Sequence, residues 1–198
     1  MTFKRMSILS RRPGDDRAYF ARKWRAHGEL IVRLPGVRGY IQNHVLDEID
    51  PGRLPVDGIV ELWFDSPQAM ADAFTGDAAR AMADDEPSFL GRATGYVVEG
   101  SGGSLSGWSG VNKLIAVEPA PASTNHSVLE FAHASDQRSF SVTGIVPKLG
   151  QVEPPTHVTR FTEAVFPDLK HLELSFSECA NKKQEGWAVF KVDSHRML

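Results

Sequence analysis

Within its first hundred residues the chain alternates between hydrophobic periods of two and of 3.6 residues, and the order of those segments leaves few folds open. Residues 3–10 (FKRMSILS) read as a strand. Over residues 15–33, Phe20, Trp24, His27 and Ile31 fall within about 60° of one another at 100° per residue, which makes a helix with a single apolar stripe. Pro13 and Gly14 turn the chain into this helix, Asp15 or Asp16 caps it, and Leu34, Pro35 and Gly36 stop it. Residues 37–46 then alternate, with Val37, Ile41 and Val45 on one face and Tyr40, Gln42 and His44 on the other. A loop dense in Pro, Gly and Asp (47–58) leads to a third strand, 59–64 (IVELWF), on which Ile59, Glu61 and Trp63 share a face. Ser66 as N-cap and Pro67 at the first helical position open a second helical region that Gly76 interrupts, and 93–99 (ATGYVVE) form a fourth strand.

The order β-α-β-β-α-β predicts an α+β, ferredoxin-like unit, a four-stranded antiparallel sheet with both helices on one face. Its other face must be covered by a second sheet, so the chain is expected either to form a homodimer or to hold an internal duplicate. With 198 residues there is room for a duplicate. The Gly- and Ser-rich stretch 101–112 divides the chain into an expected first unit, 1–100, and a degenerate second unit, 113–198. In the second unit, 127–134 would match the first strand, 135–149 the first helix and 157–166 the second strand. Residues 172–177 (LELSFS) would match the third strand, with Glu173 standing where Glu61 stands. A short helix, 178–184, and a strand, 187–193, complete it, and 113–118 (KLIAVE) fits nowhere in this scheme. The expected architecture is thus two tandem βαββαβ units forming a dimeric-type α+β barrel within one chain. Where His27 would recur the second half offers Pro147 or a neighbour, so any chemistry should be confined to the first half.

Composition narrows the function classes. A formal net charge of -3, with 24% charged residues, leaves no basic excess to answer a phosphate backbone, so no nucleic-acid partner is expected. No run of 18 apolar residues occurs and the N-terminus does not read as a signal peptide, so a cytoplasmic protein without a membrane partner is expected. The single cysteine, Cys179, can form no internal disulfide. Seven histidines occur without H-x3-H, H-E-x2-H or paired-cysteine spacing, so no metal site is expected. No Gly-rich loop joins a strand to a helix, which argues against a nucleotide cofactor.

His27 has two readings on its helix. It is either a core histidine tied to a buried polar partner or a general base lining a pocket between helix and sheet, where an imidazole of ordinary pKa near 6.5 is readily tuned. The motifs around it bear on that choice. RRPG at 11–14, Phe20-x3-Trp24-x2-His27, LPG at 34–36, Tyr40-x-Gln42-Asn43, DG at 57–58 with ELWF at 61–64, and Asp85-Glu86-x2-Phe89 together resemble the EthD family over residues 3–100. The resemblance implies a ferredoxin-like fold assembled as a dimeric α+β barrel. It also implies a small cofactor-independent enzyme such as a lactone isomerase or a polyketide dehydratase or decarboxylase. It assigns the acid/base role to His27 and places Tyr40 in the same pocket, while a cysteine used by some lactone isomerases has no equivalent here.

On this basis the chain is expected to be a lyase or isomerase acting on a small aromatic, polyketide-like or carbonyl compound, with no cofactor. His27 and Tyr40 are the catalytic candidates; Trp24, Gln42, His44, Glu61 and Trp63 are the candidates for substrate binding. Glu61 is read either as the carboxylate that orients a histidine or as one end of a structural ion pair. The acidic run Asp84-Asp85-Glu86 reads as a solvated helix end. Two other functions stay open, a cofactor-free monooxygenase of phenols and a non-catalytic ligand-binding or stress-response protein.

Overall fold

In a computed structural model, which describes residues 3–49, 54–100, 112–120, 129–147, 157–182 and 187–198, eight strands close into one antiparallel barrel. The first half supplies β1 (Phe3–Arg11), α1 (Arg17–Ile31), β2 (Val37–Ile49), β3 (Gly58–Phe64), α2 (Pro67–Ala73), α3 (Gly76–Asp85), a 3-10 turn (Glu86–Ser88) and β4 (Leu90–Gly100). The second supplies β5 (Asn112–Pro119), β6 (Asp136–Pro147), β7 (Val158–Phe166), α4 (Leu169–Lys182) and β8 (Ala188–Arg196). Around the barrel the strands run β1-β3-β2-β8-β5-β7-β6-β4. The sheet of the first half, β4-β1-β3-β2, is therefore covered on its inner face by β8-β5-β7-β6 of the same chain, and no second copy is needed for that purpose. None of the described helices is long and apolar enough to cross a membrane.

Local chemistry explains the first half. Asp16 caps α1 by accepting from the Tyr19 amide at 2.6 Å, and Ser66 caps α2 by accepting from the Ala69 amide at 3.1 Å ahead of Pro67. Gly76 takes a φ of +81°, which breaks the second helical region into α2 and α3. Alternation divides each strand between two environments. Met6 and Ile8 of β1, Ile41 and Val45 of β2 and Ile59 of β3 are buried; apart from Ile41, they join the barrel's core. Leu9, Tyr40, Val60 and Leu62 face the layer of α1 to α3. Val37 departs from the expected alternation: the register shifts between Val37 and Gly39, and this bulge turns Val37 to the helix side with Tyr40.

The second half corrects several expectations. Residues 113–118, which had no place in the expected repeat, lie in β5; both faces of that strand are buried, so no polar alternation marks it. Residues 136–147, expected as helix, are β6, where Val142, Thr143, Ile145 and Val146 favour an extended chain. Residues 129–134 form no strand, and 172–177 are not a strand but the middle of α4. There Leu172, Ser175, Phe176 and Cys179 are buried at helical spacing while Leu174 is 44% exposed, so the apparent two-residue alternation of LELSFS was incidental. Glu173 consequently has no correspondence with Glu61. The Gly/Ser stretch 101–111 and the ends of three expected elements (127–128, 148–149 and 183–184) lie outside the described residues.

Glu61 instead shares its lysine partners with Glu163. In register, Lys4 of β1 faces Trp63 and lies two residues from Glu61 on β3; Lys113 of β5 faces Val165 and lies two residues from Glu163 on β7. The four side chains meet inside the barrel, with Lys4 at 2.9 Å from Glu61 and 3.1 Å from Glu163, and Lys113 at 2.5 Å from Glu61 and 3.6 Å from Glu163. Asn43 donates to Glu61 at 2.9 Å, and Ser194 donates to Asn43 at 2.6 Å. Burial would raise the Glu61 carboxyl, but Lys113 and Lys4 together pull it below the usual range. Glu163 is raised, by burial and by the neighbouring Glu61 charge.

Candidate active site

A cavity of about 410 Å³ lies between α1, α2 and α3 and the helix side of β1, β3 and β4. Small residues make the room: Ala79 and Ala83 on α3 face Ala93 and Gly95 on β4 across it, where larger side chains would fill the space. Trp24, Leu62, Phe74, Met82 and Phe89 give it a largely apolar wall. Arg5, His27, Tyr40 and Glu86 are the ionisable groups on it.

His27 is 5% exposed, packs at 5.1 Å from the Phe89 ring, and has its Nδ1 2.8 Å from Oδ2 of Asp85, the last residue of α3. A carboxylate partner makes Nδ1 the donor and leaves the Nε2 lone pair as the basic atom. Asp85 is thus the orienting carboxylate, a role the sequence had suggested for Glu61. The acidic run was expected to be a solvated helix end, and Asp84 is exposed, but Asp85 reaches back to His27 on α1. Its signal was present in the Asp85-Glu86-x2-Phe89 motif, whose three named residues all reach this region.

Tyr40 lines the cavity and is held by a short chain of side chains on β2. Gln42 Nε2 donates to the Tyr40 hydroxyl and to the Trp24 carbonyl, both at 2.7 Å, and its Oε1 lies 3.1 Å from His44 Nε2. Burial pushes the Tyr40 phenol well above its ordinary value, only partly offset by hydrogen bonds from Gln42 and Trp24, so it remains protonated. Because its oxygen already accepts from Gln42, its own O–H is available as a donor. His44 stacks on Trp24 at 4.4 Å and is pushed down to about 4, first by burial and then by the neighbouring His195 and Arg25 charges, so it is neutral and donates from Nε2 to Gln42.

The expected site residues therefore divide. Trp24, His27 and Tyr40 meet at the cavity; Gln42 and His44 stand behind Tyr40 and Trp24; Glu61 and Trp63 face the other way, into the barrel, because odd-numbered residues of β3 point inward. Glu61 belongs to the lysine–glutamate cluster, and Trp63 packs against Lys4 at 5.0 Å. Arg5, Asp85 and Glu86 were not among the expected site residues, although alternation along β1 places Arg5, Ser7 and Leu9 on the helix side. Among the described residues no group of three or more His, Cys, Asp or Glu could hold a metal ion.

Most of the residues lining this site, His27 and Tyr40 among them, fall in one recognisable segment, while Arg5, Ser7, Leu9, Gly95 and Val146 lie outside it. Residues 12–93 match the family model of the EthD domain. The matched segment contains α1 to α3 and both members of the His27–Asp85 pair. Over its full length the chain is similar to the crystal structure of an anthrone oxidase-like protein, at 6% identity, covering 99% of this chain and 93% of that one with a TM-score of 0.62. An EthD family protein from Bacillus halodurans C-125 aligns at 20% identity over 46% of this chain and 88% of its own, with a TM-score of 0.38. A dimeric protein of unknown function and ferredoxin-like fold from Bacteroides fragilis aligns at 14% identity over 48% and 95%, with a TM-score of 0.39. No curated protein matches by sequence.

Proposed function

We propose that the cavity of the EthD domain binds a small aromatic, polyketide-like or carbonyl-bearing compound and that His27 moves a proton on it, as a lyase or isomerase without a cofactor. The observation that carries this reading is the His27–Asp85 pair at 2.8 Å beside an apolar cavity large enough for a bicyclic ligand. His27 Nε2 takes a proton from carbon next to a carbonyl, Asp85 stabilises the resulting imidazolium, and the Tyr40 O–H donates to the developing enolate oxygen. Return of the proton to another carbon gives isomerisation; its delivery to a departing hydroxyl gives dehydration. Gln42 and His44 act as positioning residues by holding the Tyr40 oxygen and the Trp24 wall.

The same base would also serve oxidation of an electron-rich phenol by dioxygen, since the ionised ligand is the species that reacts; the aromatic lining suits such a ligand. Oxygen uptake during turnover separates the two chemistries. On an identified substrate, His27→Ala should lower turnover by about 10²- to 10⁴-fold with ligand binding retained. Full turnover in that variant would remove His27 from the mechanism, and tight binding with neither turnover nor solvent deuterium uptake would make the domain a binding module.

The same reading takes the halves as tandem ferredoxin-like units of which only the first kept the chemistry. It is supported by their common strand order and by the matching registers of Lys4 with Glu61 and of Lys113 with Glu163. The described part of the second half carries one helix, α4, packed on the sheet through Leu172, Phe176 and Cys179.

A further inference from the structure

Arg5 stands at the centre of the sheet that floors the cavity, opposite Leu62 on β3 and Val97 on β4. Two neighbours fix the plane of its guanidinium. The Phe74 ring lies 4.6 Å from Cζ, and on the strand beside it Gly95 leaves the space the guanidinium fills: a Cβ there would stand 2.6 Å from Nη2 and 2.7 Å from Nε. Its Nε is buried without a hydrogen-bond partner among the described residues. Partial burial lowers its pKa to about 10, and the charge of Glu86 opposes that fall, so the group is still a cation at neutral pH. Glu86 is half-buried on the 3-10 turn, where solvent reaches it and screens its charge. The Arg5 side chain is part-buried, and a guanidinium whose Nε is buried without a partner is costly in the free protein and is relieved by a planar oxyanion that accepts from its fork.

Building on the proposed ligand cavity, we infer that its ligand is an anion, a carboxylate or ionised enol on an apolar body, which Arg5 receives as His27 faces the rest of the molecule. Such a ligand suits proton transfer next to a carbonyl, because Arg5 would hold the charge that the enolate form spreads over its oxygens. It also limits the ligand to one charged end, since the remaining wall is apolar apart from His27, Tyr40, Glu86 and Ser7.

Titration calorimetry on the full chain with two matched pairs tests this: 1-naphthoate against its methyl ester, and 4-hydroxycoumarin, an ionised enol at neutral pH, against 4-methoxycoumarin. The expected result is that at least one anion binds about 10- to 100-fold tighter than its methylated partner, the size of a charge-assisted hydrogen bond to a part-buried cation. The naphthoate pair reports a carboxylate ligand and the coumarin pair an ionised enol. Arg5→Gln should abolish the preference and Arg5→Lys keep only part of it, while the methylated compounds bind each variant as they bind the wild type, which also shows that the variants are folded. His27→Ala should leave the preference intact. Methylated compounds that bind the wild type as tightly as the anions, or a preference that survives Arg5→Gln, would overturn the role of Arg5 and leave the cavity reading standing. Failure of all four compounds to bind would overturn both.

Discussion

The two sides of β1 and β3 bury charge in opposite ways. Facing inward, Lys4, Lys113, Glu61 and Glu163 neutralise one another at 2.5 to 3.6 Å, and Asn43 and Ser194 take up further hydrogen-bonding capacity. On the outward side Arg5 has a buried unpaired Nε, and the cavity there is also lined by His27, paired through Nδ1 with Asp85, and by Tyr40, whose hydroxyl accepts from Gln42. Buried ionisable groups are thus not evidence of a site by themselves. What separates scaffold from chemistry here is whether the groups satisfy each other or wait for something else.

The largest expected effect breaks the inner side. Glu61→Leu removes the carboxylate that both lysines contact and leaves two buried ammonium groups to share Glu163. It should cost about 3–5 kcal/mol in chemical denaturation. Adding Lys113→Met leaves the Lys4–Glu163 pair intact and should restore most of that loss. A single variant as stable as wild type would show that the four groups are not electrostatically coupled. The cavity should bind its ligand unchanged in any of these variants that folds.

Next comes the shell between the two regions. His44 is held at about 4 in the folded chain against an ordinary 6.5, so between these values the unfolded chain binds the proton and the folded chain does not. Stability is therefore complete above pH 6.5 and falls by up to about 3 kcal/mol as the pH drops toward 4. Denaturation midpoints measured from pH 7 to 4 should show this slope, and His44→Gln should flatten it. An unchanged slope in the variant would assign the acid sensitivity to other groups.

How far these contrasts could be read from the sequence depends on which neighbours decide each residue. Alternation along β2 and β3 put Tyr40 with Gln42 and His44 and Glu61 with Trp63, because side-chain direction in a strand is a local property. Their partners were not local. Glu61 is explained by Lys113, 52 residues away, and His27 by Asp85, 58 residues away, and no periodicity reports such meetings. Asp85 looked like a solvated helix end because helix charge patterns say nothing of what lies across the helix terminus. The second half misled for a related reason. β5 is buried on both faces and so lacks a pattern, while LELSFS has a strand's alternation and a helix's buried positions at once.

A smaller effect sharpens the outer side. Asp85→Asn keeps the shape of the His27 partner but removes the charge that stabilises an imidazolium, and an amide can present its NH2 group and impose the wrong tautomer. Turnover on an identified substrate should fall about 10²-fold. Because Asp85 is 35% exposed, the cost in stability should stay below about 1 kcal/mol. A large loss of stability with turnover unaffected would return the pair to the scaffold.

The smallest expected effect isolates environment from distance. Arg38 and Asp65 make a contact as close as any in the inner cluster bar one, with Nη2 and Nε of Arg38 at 2.6 and 2.8 Å from one carboxylate oxygen, yet both side chains are more than half exposed. Water solvates each ion almost as well apart as together, and salt screens what attraction remains. Arg38→Ala should leave the denaturation midpoint within error of the wild type at physiological salt, whereas Glu61→Leu acts through contacts of 2.5 and 2.9 Å. If Arg38→Ala were as damaging as Glu61→Leu, proximity rather than burial would govern the charges of this barrel, and the separation drawn between its inner cluster and its outer cavity would lose its physical basis.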